Sequence, residues 1–129
     1  MRLEPSGNTF RVAPGETILE AALREGIGLP YGCRNGACGA CKGILRAGEL
    51  VYGEYQERAL HDSEKLAGKA LTCCTRPCTD IVFEVRELAG AKDLAIRTLP
   101  CRVEKVEKPA DDVAVISLKL PAGERLQFL

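Results

Sequence analysis

Apolar and polar positions change rhythm repeatedly along this chain. Arg2-Leu3-Glu4 and Thr9-Phe10-Arg11-Val12 alternate around Pro5-Ser6-Gly7-Asn8, a pattern that predicts a β-hairpin closed by a four-residue turn. Pro14-Gly15 ends the second strand. The period then becomes helical. Thr17 is placed to N-cap a helix with Glu20 three residues on, a capping box in which each side chain satisfies the other's orphan amide. Ile18, Leu19, Ala22 and Leu23 share one apolar face, and Gly26 suits the left-handed residue past the helix end.

From Gly26 to Gly43 neither period survives. GIGLPYGCRNGACGACKG holds six glycines and three cysteines and reads as a loop whose backbone carries the chemistry. Strand character returns over Ile44–Tyr52, broken at Ala47-Gly48. His61-Asp62-Ser63-Glu64 starts a single helical turn, capped by Asp62 or Ser63 and ended by Gly68. Ala70–Thr75 and Ile81–Val85 are two further strands separated by Arg76-Pro77. Together these elements predict an α+β domain over residues 1–88. Residues 89–99 read as a linker. Cys101–Glu107 and Val113–Leu120 then form two strands around Lys108-Pro109-Ala110-Asp111-Asp112. Ala114, Ile116, Leu118 and Leu120 fall on one face, which requires a sheet to cover, and a lone hairpin is marginal in water. Residues 100–129, ending in the apolar Gln127-Phe128-Leu129, are therefore expected to begin a second, incomplete domain that packs on a neighbouring chain or on the first domain.

Composition narrows the function. A length of 129 residues suits one ordinary domain, and 46% hydrophobic with 28% charged residues is globular rather than disordered. Eighteen basic and eighteen acidic side chains cancel, which argues against a nucleic-acid binder relying on a basic field. No apolar stretch follows Arg2, so no secretory signal is expected, and no run approaches the roughly 18 apolar residues of a membrane span. Seven cysteines are the informative count. An odd number without a signal points to metal ligation or thiol chemistry in a reducing compartment, here expected to be cytoplasmic.

Cys33, Cys38 and Cys41 have the spacing C-x4-C-x2-C, and Cys73 follows after 31 intervening residues. Thiolates suit iron–sulfur clusters, zinc and copper(I), and x4/x2 with one distant cysteine is the plant-type arrangement for a [2Fe–2S] cluster. The four-iron spacing is absent. A Rieske centre needs two histidines, and His61 is the sole one. Structural zinc normally uses two C-x2-C pairs, of which only Cys38–Cys41 is present. A catalytic thiol lacks a supporting base motif. Gly32, Gly36, Gly39 and Gly43 punctuate the loop where amides must approach negatively charged sulfurs. Cys73 and Cys74 are adjacent, and on a strand neighbours face opposite ways, so one of the two, not both, is expected to reach the cluster. Cys78 and Cys101 read as small apolar residues, Tyr31 as a core or turn tyrosine, and His61 as a helix-start residue. Gly26-Ile27-Gly28 follows a helix rather than a strand and is no dinucleotide fingerprint.

LPYGCRNGACGACKG, then ALTCCTRP and the final strand IVFEV, resemble the plant-type [2Fe–2S] ferredoxin domain over about residues 1–88. The resemblance implies a β-grasp fold. It assigns the fourth ligand to Cys73, which stands in the family's Leu-x-Cys setting as Leu71-Thr72-Cys73, and it implies that Cys33 and Cys38 hold one iron while Cys41 and Cys73 hold the other. Two departures stand out: Gly32 and Cys74 occupy positions where photosynthetic ferredoxins usually carry Ser and Gln. Those ferredoxins are also strongly acidic, whereas residues 1–90 here hold eleven basic and twelve acidic side chains. A module tethered to its electron donor needs no steering field.

Residues 99–129 resemble the first strands of the flavin-binding barrel of the ferredoxin–NADP reductase superfamily. The whole is thus similar to the N-terminal part of a ferredoxin–flavin–nicotinamide reductase of the kind serving bacterial oxygenases or the CDP-6-deoxy-glucoseen dehydratase system, with GEYQERAL leaning toward the latter. The family's Arg-x-Tyr-Ser flavin motif and any nicotinamide-binding glycine motif are absent from this sequence, so FAD and NAD(P)H belong to the intact parent. The expected role is one-electron transfer to an oxygenase or dehydratase partner at a low potential, around −400 mV for plant-type centres. Arg34, Asn35 and Ala37 would form the rim through which electrons leave. No nucleic-acid or membrane partner is expected. A stand-alone ferredoxin serving separate enzymes, and a colourless zinc-stabilised binding module, are the other two readings.

Overall fold

The computed structural model describes residues 1–88 and 98–124. The chain divides into two compact units, Met1–Asp93 and Leu94–Leu129.

In the first unit, β1 (Arg2–Glu4), β2 (Lys42–Ala47), β4 (Lys69–Leu71) and β6 (Val82–Glu84) form a mixed sheet in the order β1-β6-β2-β4. β1 runs parallel to β6, with Leu3 opposite Phe83, and β2 is antiparallel to both β6 and β4. A second, two-stranded sheet pairs β3 (Leu50–Tyr52) with β5 (Thr75–Pro77). α1 (Ile18–Arg24) buries Ile18, Leu19, Ala21 and Ala22 in a core with Leu3, Phe83, Ile81 and Leu29. Short strands, one substantial helix and a glycine-rich loop make this an α+β unit, as the pattern predicts.

α1 begins as expected. The Thr17 amide donates to Glu20 Oε2 at 2.8 Å, the Glu20 amide donates to Thr17 Oγ1 at 3.3 Å, and Gly26 takes φ +71° beyond the helix. The Leu19 amide donates to the Thr72 carbonyl at 3.0 Å, so the first turn of α1 holds the segment that carries Cys73. The buried face differs slightly from the expected one: Ala21 is fully buried and Leu23 only partly.

Three local expectations are corrected. Thr9–Val12 is not a strand. Arg2 and Thr9 make one antiparallel bridge, and with that register the next residues run past the first residue of β1. Ala70–Thr75 is not one strand but two, β4 and β5, with a turn at Thr72–Cys74 between them. There the Cys74 amide (3.0 Å) and the Thr75 hydroxyl (2.8 Å) both donate to the Leu71 carbonyl and bend the chain. Finally, α2 (Asp62–Leu66) is preceded by His61, not Asp62 or Ser63, as the cap residue. The His61 amide donates to the Glu64 carboxylate at 3.2 Å, so the acid three residues on, rather than a cap hydroxyl, closes the helix start.

In the second unit, β7 (Arg102–Ala110) and β8 (Val113–Lys119) form an antiparallel hairpin. Val103 lies opposite Leu118 and Val106 opposite Ile116, which puts these four on one face, and each is more than half exposed. The expected linker at residues 89–99 falls mostly, and Gln127-Phe128-Leu129 wholly, outside the described residues. No helix among the described residues is long and apolar enough to cross a membrane.

Candidate iron–sulfur site

The loop between Leu29, which is fully buried, and the start of β2 carries Cys33, Cys38 and Cys41. It is tied down at several points. The Gln56 amide donates to the Gly36 carbonyl at 3.0 Å, and the Thr72 amide donates to the Cys41 carbonyl at 3.0 Å. Gly36 has φ +74°, and a Cβ there would lie 2.8 Å from both Cys74 Sγ and the Tyr55 backbone, so only glycine fits this turn. At Gly43 a Cβ would lie 2.3 Å from the Phe83 ring, so its smallness serves sheet packing rather than the loop.

The four cysteines of the motif form two pairs. In the outer pair, Cys33 and Cys38 are both exposed. Backbone amides turn toward their sulfurs: Cys33 N donates to Cys38 Sγ at 3.4 Å, Ala40 N to Cys38 Sγ at 3.5 Å and Ala37 N to Cys33 Sγ at 3.3 Å. The Asn35 amide, then the Cys38 thiol and the Ala37 amide, pull the Cys33 thiol down to about 6, so its thiolate prevails at neutral pH. In the inner pair, Cys41 Sγ and Cys73 Sγ lie 3.3 Å apart beside Leu60, Leu71 and Ala59. Burial pushes the Cys41 thiol up to about 11 and raises that of Cys73 as well.

Among the described residues, no three His, Cys, Asp or Glu side chains converge as on a single ion. Two pairs are what a two-iron centre requires, because each iron takes two protein sulfurs and the bridging sulfides complete its shell. Other features fit such a centre. Soft thiolates with inward-turned amides match a negatively charged iron–sulfur group. The buried Thr72 hydroxyl has no hydrogen-bond partner in the structure and lies where it favours the Cys41 thiolate, a donor that a ligated, ionised sulfur would satisfy.

Around the site, Arg34 holds φ +62°, a left-handed conformation occupied by a non-glycine residue, and its guanidinium lies 5.9 Å from the Tyr31 ring centroid. Tyr31 is 43% exposed and is therefore not a core residue. On the other side, Lys42, next to Cys41, donates to the Glu64 carboxylate at 2.8 and 2.9 Å, and Lys69 donates at 2.9 Å. Lys42, Lys69 and the His61 amide hold the Glu64 carboxyl down to about 2. Lys65 sits 4.4 Å above the Tyr52 ring. Sequence reasoning missed Thr72, the Glu64 clamp and the position of Cys74, because each depends on segments distant in the chain coming together.

Adjacent Cys73 and Cys74 do not face opposite ways as expected of strand neighbours. Cys73 and Cys74 lie in the turn, not on a strand, and their sulfurs are 3.4 Å apart. Both point to the same side.

Comparison with known proteins places this geometry in context. Residues 1–78 match the model of the 2Fe-2S iron-sulfur cluster binding domain. Over all 129 residues the chain is 35% identical to CDP-6-deoxy-L-threo-D-glycero-4-hexulose-3-dehydrase reductase of Yersinia pseudotuberculosis, of which it covers 39%. It is similar to the crystal structure of an Amycolatopsis cytochrome P450 reductase, with 34% identity and a TM-score of 0.65, over 98% of this chain and 37% of that one. It is also similar to phthalate dioxygenase reductase, described as a modular structure for electron transfer from pyridine nucleotides to [2Fe–2S], with 29% identity and a TM-score of 0.55, over 65% of this chain and 25% of that one. The chain spans about two fifths of the length of the first curated relatives it matches.

Proposed function

The chain belongs to the 2Fe-2S iron-sulfur cluster binding domain family and carries a [2Fe–2S] cluster, and we propose that it is the one-electron relay of an NAD(P)H-dependent flavin reductase. In that reading Cys33 and Cys38 hold one iron and Cys41 and Cys73 the other. The observation that carries it is the pairing of sulfurs: an outer pair ringed by amides and an inner pair 3.3 Å apart against the core. When bound, the cluster takes up and releases a single electron, which requires no acid or base from the protein. The residues of the chain fix the four sulfurs, turn the amides of Ala37, Ala40 and Cys33 toward them, and leave the outer side open. Arg34, Asn35 and Ala37 form the rim facing a partner, with Arg34 supplying positive charge there.

The donor side follows from similarity to reductases and from the hairpin. Residues 1–88 are the ferredoxin domain, with a β-grasp fold, and 89–99 the linker. Residues 100–129 are the first strands of a flavin-binding barrel, a reading supported by the exposed row of Val103, Val106, Ile116 and Leu118, which a further sheet would cover. FAD and NAD(P)H bind in the parent protein, in cis, outside these residues. The acceptor is an oxygenase or a dehydratase of the kind named for the relatives, and the cysteine chemistry suits the cytoplasm.

Electron paramagnetic resonance before and after dithionite, with iron and sulfide assays on the same sample, tests this reading. Silence when oxidised, a rhombic S = 1/2 signal when reduced, and about two irons and two sulfides per chain are expected. A colourless sample holding zinc removes the electron-transfer role.

A further inference from the structure

Of the three thiols outside the two pairs, Cys78 and Cys101 are exposed and Cys74 alone is buried, in surroundings that are those of a site residue. It is buried in the cluster of Cys41, Leu71, Leu60 and Ala59, with Cys73 and Tyr55 packed against it. Its sulfur is 3.4 Å from Cys73 Sγ, and Gly36 of the ligand loop has no side chain where a Cβ would strike it at 2.8 Å. The loop thus leaves room for a fifth sulfur on the inner side. The turn that carries both cysteines is anchored on each flank by the Leu19 amide bond to Thr72 O and by the Gly53 amide donating to Cys74 O at 2.7 Å.

We propose that Cys74 is a reserve ligand of this site: where the Cys73 sulfur is missing, the neighbouring thiol closes the same iron. This rests on the ligand assignment above. The exchange is balanced without an oxidant or reductant. The bond from iron to Cys73 breaks and that sulfur takes up a proton; the Cys74 S–H bond breaks, its proton goes to water, and its sulfur lone pair forms the new bond to iron. In a chain lacking the Cys73 sulfur, only the second half occurs. The partly exposed Cys73 is the member of the inner pair open to chemical damage, and the buried Cys74 is sheltered from it.

The test loads the full chain with ferrous iron and sulfide under anaerobic conditions and counts iron and sulfide alongside far-ultraviolet circular dichroism and reduced-state EPR. The wild type, Cys74→Ala and Cys73→Ala are each expected to hold about two irons per chain, and the Cys73→Ala/Cys74→Ala double variant less than about a tenth of that. In Cys73→Ser, where a hydroxyl competes with the Cys74 thiol, the reduced spectrum is expected to match Cys73→Ala rather than Cys73→Ser/Cys74→Ala. An iron-free Cys73→Ala that is folded overturns the proposal. If Cys73→Ala does not fold, Cys73→Ser decides, and a spectrum matching Cys73→Ser/Cys74→Ala overturns it. Loss of iron from Cys74→Ala also overturns it, since Cys74 would then be obligatory. Failure of the wild type itself to load refutes the ligand assignment instead.

Discussion

The outer and inner cysteine pairs are built in opposite ways. Cys33 and Cys38 are exposed and surrounded by backbone amides, which lower the Cys33 thiol to about 6. Cys41 and Cys73 are set against Leu60 and Leu71, and burial raises the Cys41 thiol to about 11. One pair is prepared by hydrogen bonds and the other by packing. The difference separates two properties useful to an electron carrier: an outer side open to solvent, and an inner side packed to hold the sulfurs still.

Filling the space that packing reserves beside the inner pair is expected to have the largest effect. Gly36→Ala and Gly26→Ala both force a Cβ into left-handed backbone, at about 1–2 kcal/mol each. Gly26 has nothing within 4 Å, whereas Gly36 faces Cys74 Sγ and Tyr55 at 2.8 Å. Overpacking adds about 1–3 kcal/mol at Gly36 alone. Chemical denaturation of the loaded chains is expected to show that gap, and equal losses would mean that the inner wall yields freely.

The outer rim is sharpened by charge. Arg34→Glu is expected to slow oxidation of the reduced chain by ferricyanide about two- to fivefold at low salt and to speed oxidation by a cationic cobalt hexammine, both effects fading as salt rises. Stopped-flow traces check this against an unchanged visible spectrum. Identical rates with both oxidants would place the electron exit elsewhere.

A smaller effect concerns the clamp behind the inner pair. Glu64 is held below its ordinary range by Lys42 and Lys69, so its contribution to stability is present above the usual glutamate value near 4.5 and is lost as pH falls toward about 2. Glu64→Gln is therefore expected to melt below the wild type at pH 7, with the two curves converging through that acid window. A constant difference down to pH 2 would contradict the clamp.

The smallest change is Thr72→Val. In the cluster-free chain, where this buried hydroxyl has no hydrogen-bond partner, its removal is expected to alter stability by less than about 0.5 kcal/mol. Loss of a donor near Cys41 is expected to make the midpoint potential more negative, because hydrogen bonds to the sulfurs help set it. An unmoved potential in a redox titration would exclude the hydroxyl from the sulfur environment.

The same division runs through what could be read in advance. α1, its Thr17–Glu20 capping box and Gly26 are local, since every partner lies within a few residues, and the sequence is sufficient for them. The spacing of Cys33, Cys38 and Cys41 is equally local and, with Cys73, carries the iron–sulfur reading. Thr9–Val12 failed as a strand because register, not alternation, decides whether a partner exists. Ala70–Thr75 failed because the Thr75 hydroxyl and the Cys74 amide bond back to Leu71, a competition of side-chain and turn bonds with the ladder that no β-propensity reveals.

By itself, then, the sequence determined the α+β class, the capped helix, the glycine loop and the chemistry of its thiols, because short-range sterics and ligand spacing are properties of neighbouring residues. The family resemblance implied the pairing of Cys41 with Cys73, but it took packing to bring their sulfurs to 3.3 Å, set Cys74 on the same side, bury Thr72 beside them and join Glu64 to Lys42 and Lys69. Those contacts join segments up to 32 residues apart, and their geometry is fixed by the packing of β2, β4 and α2 rather than by any local preference.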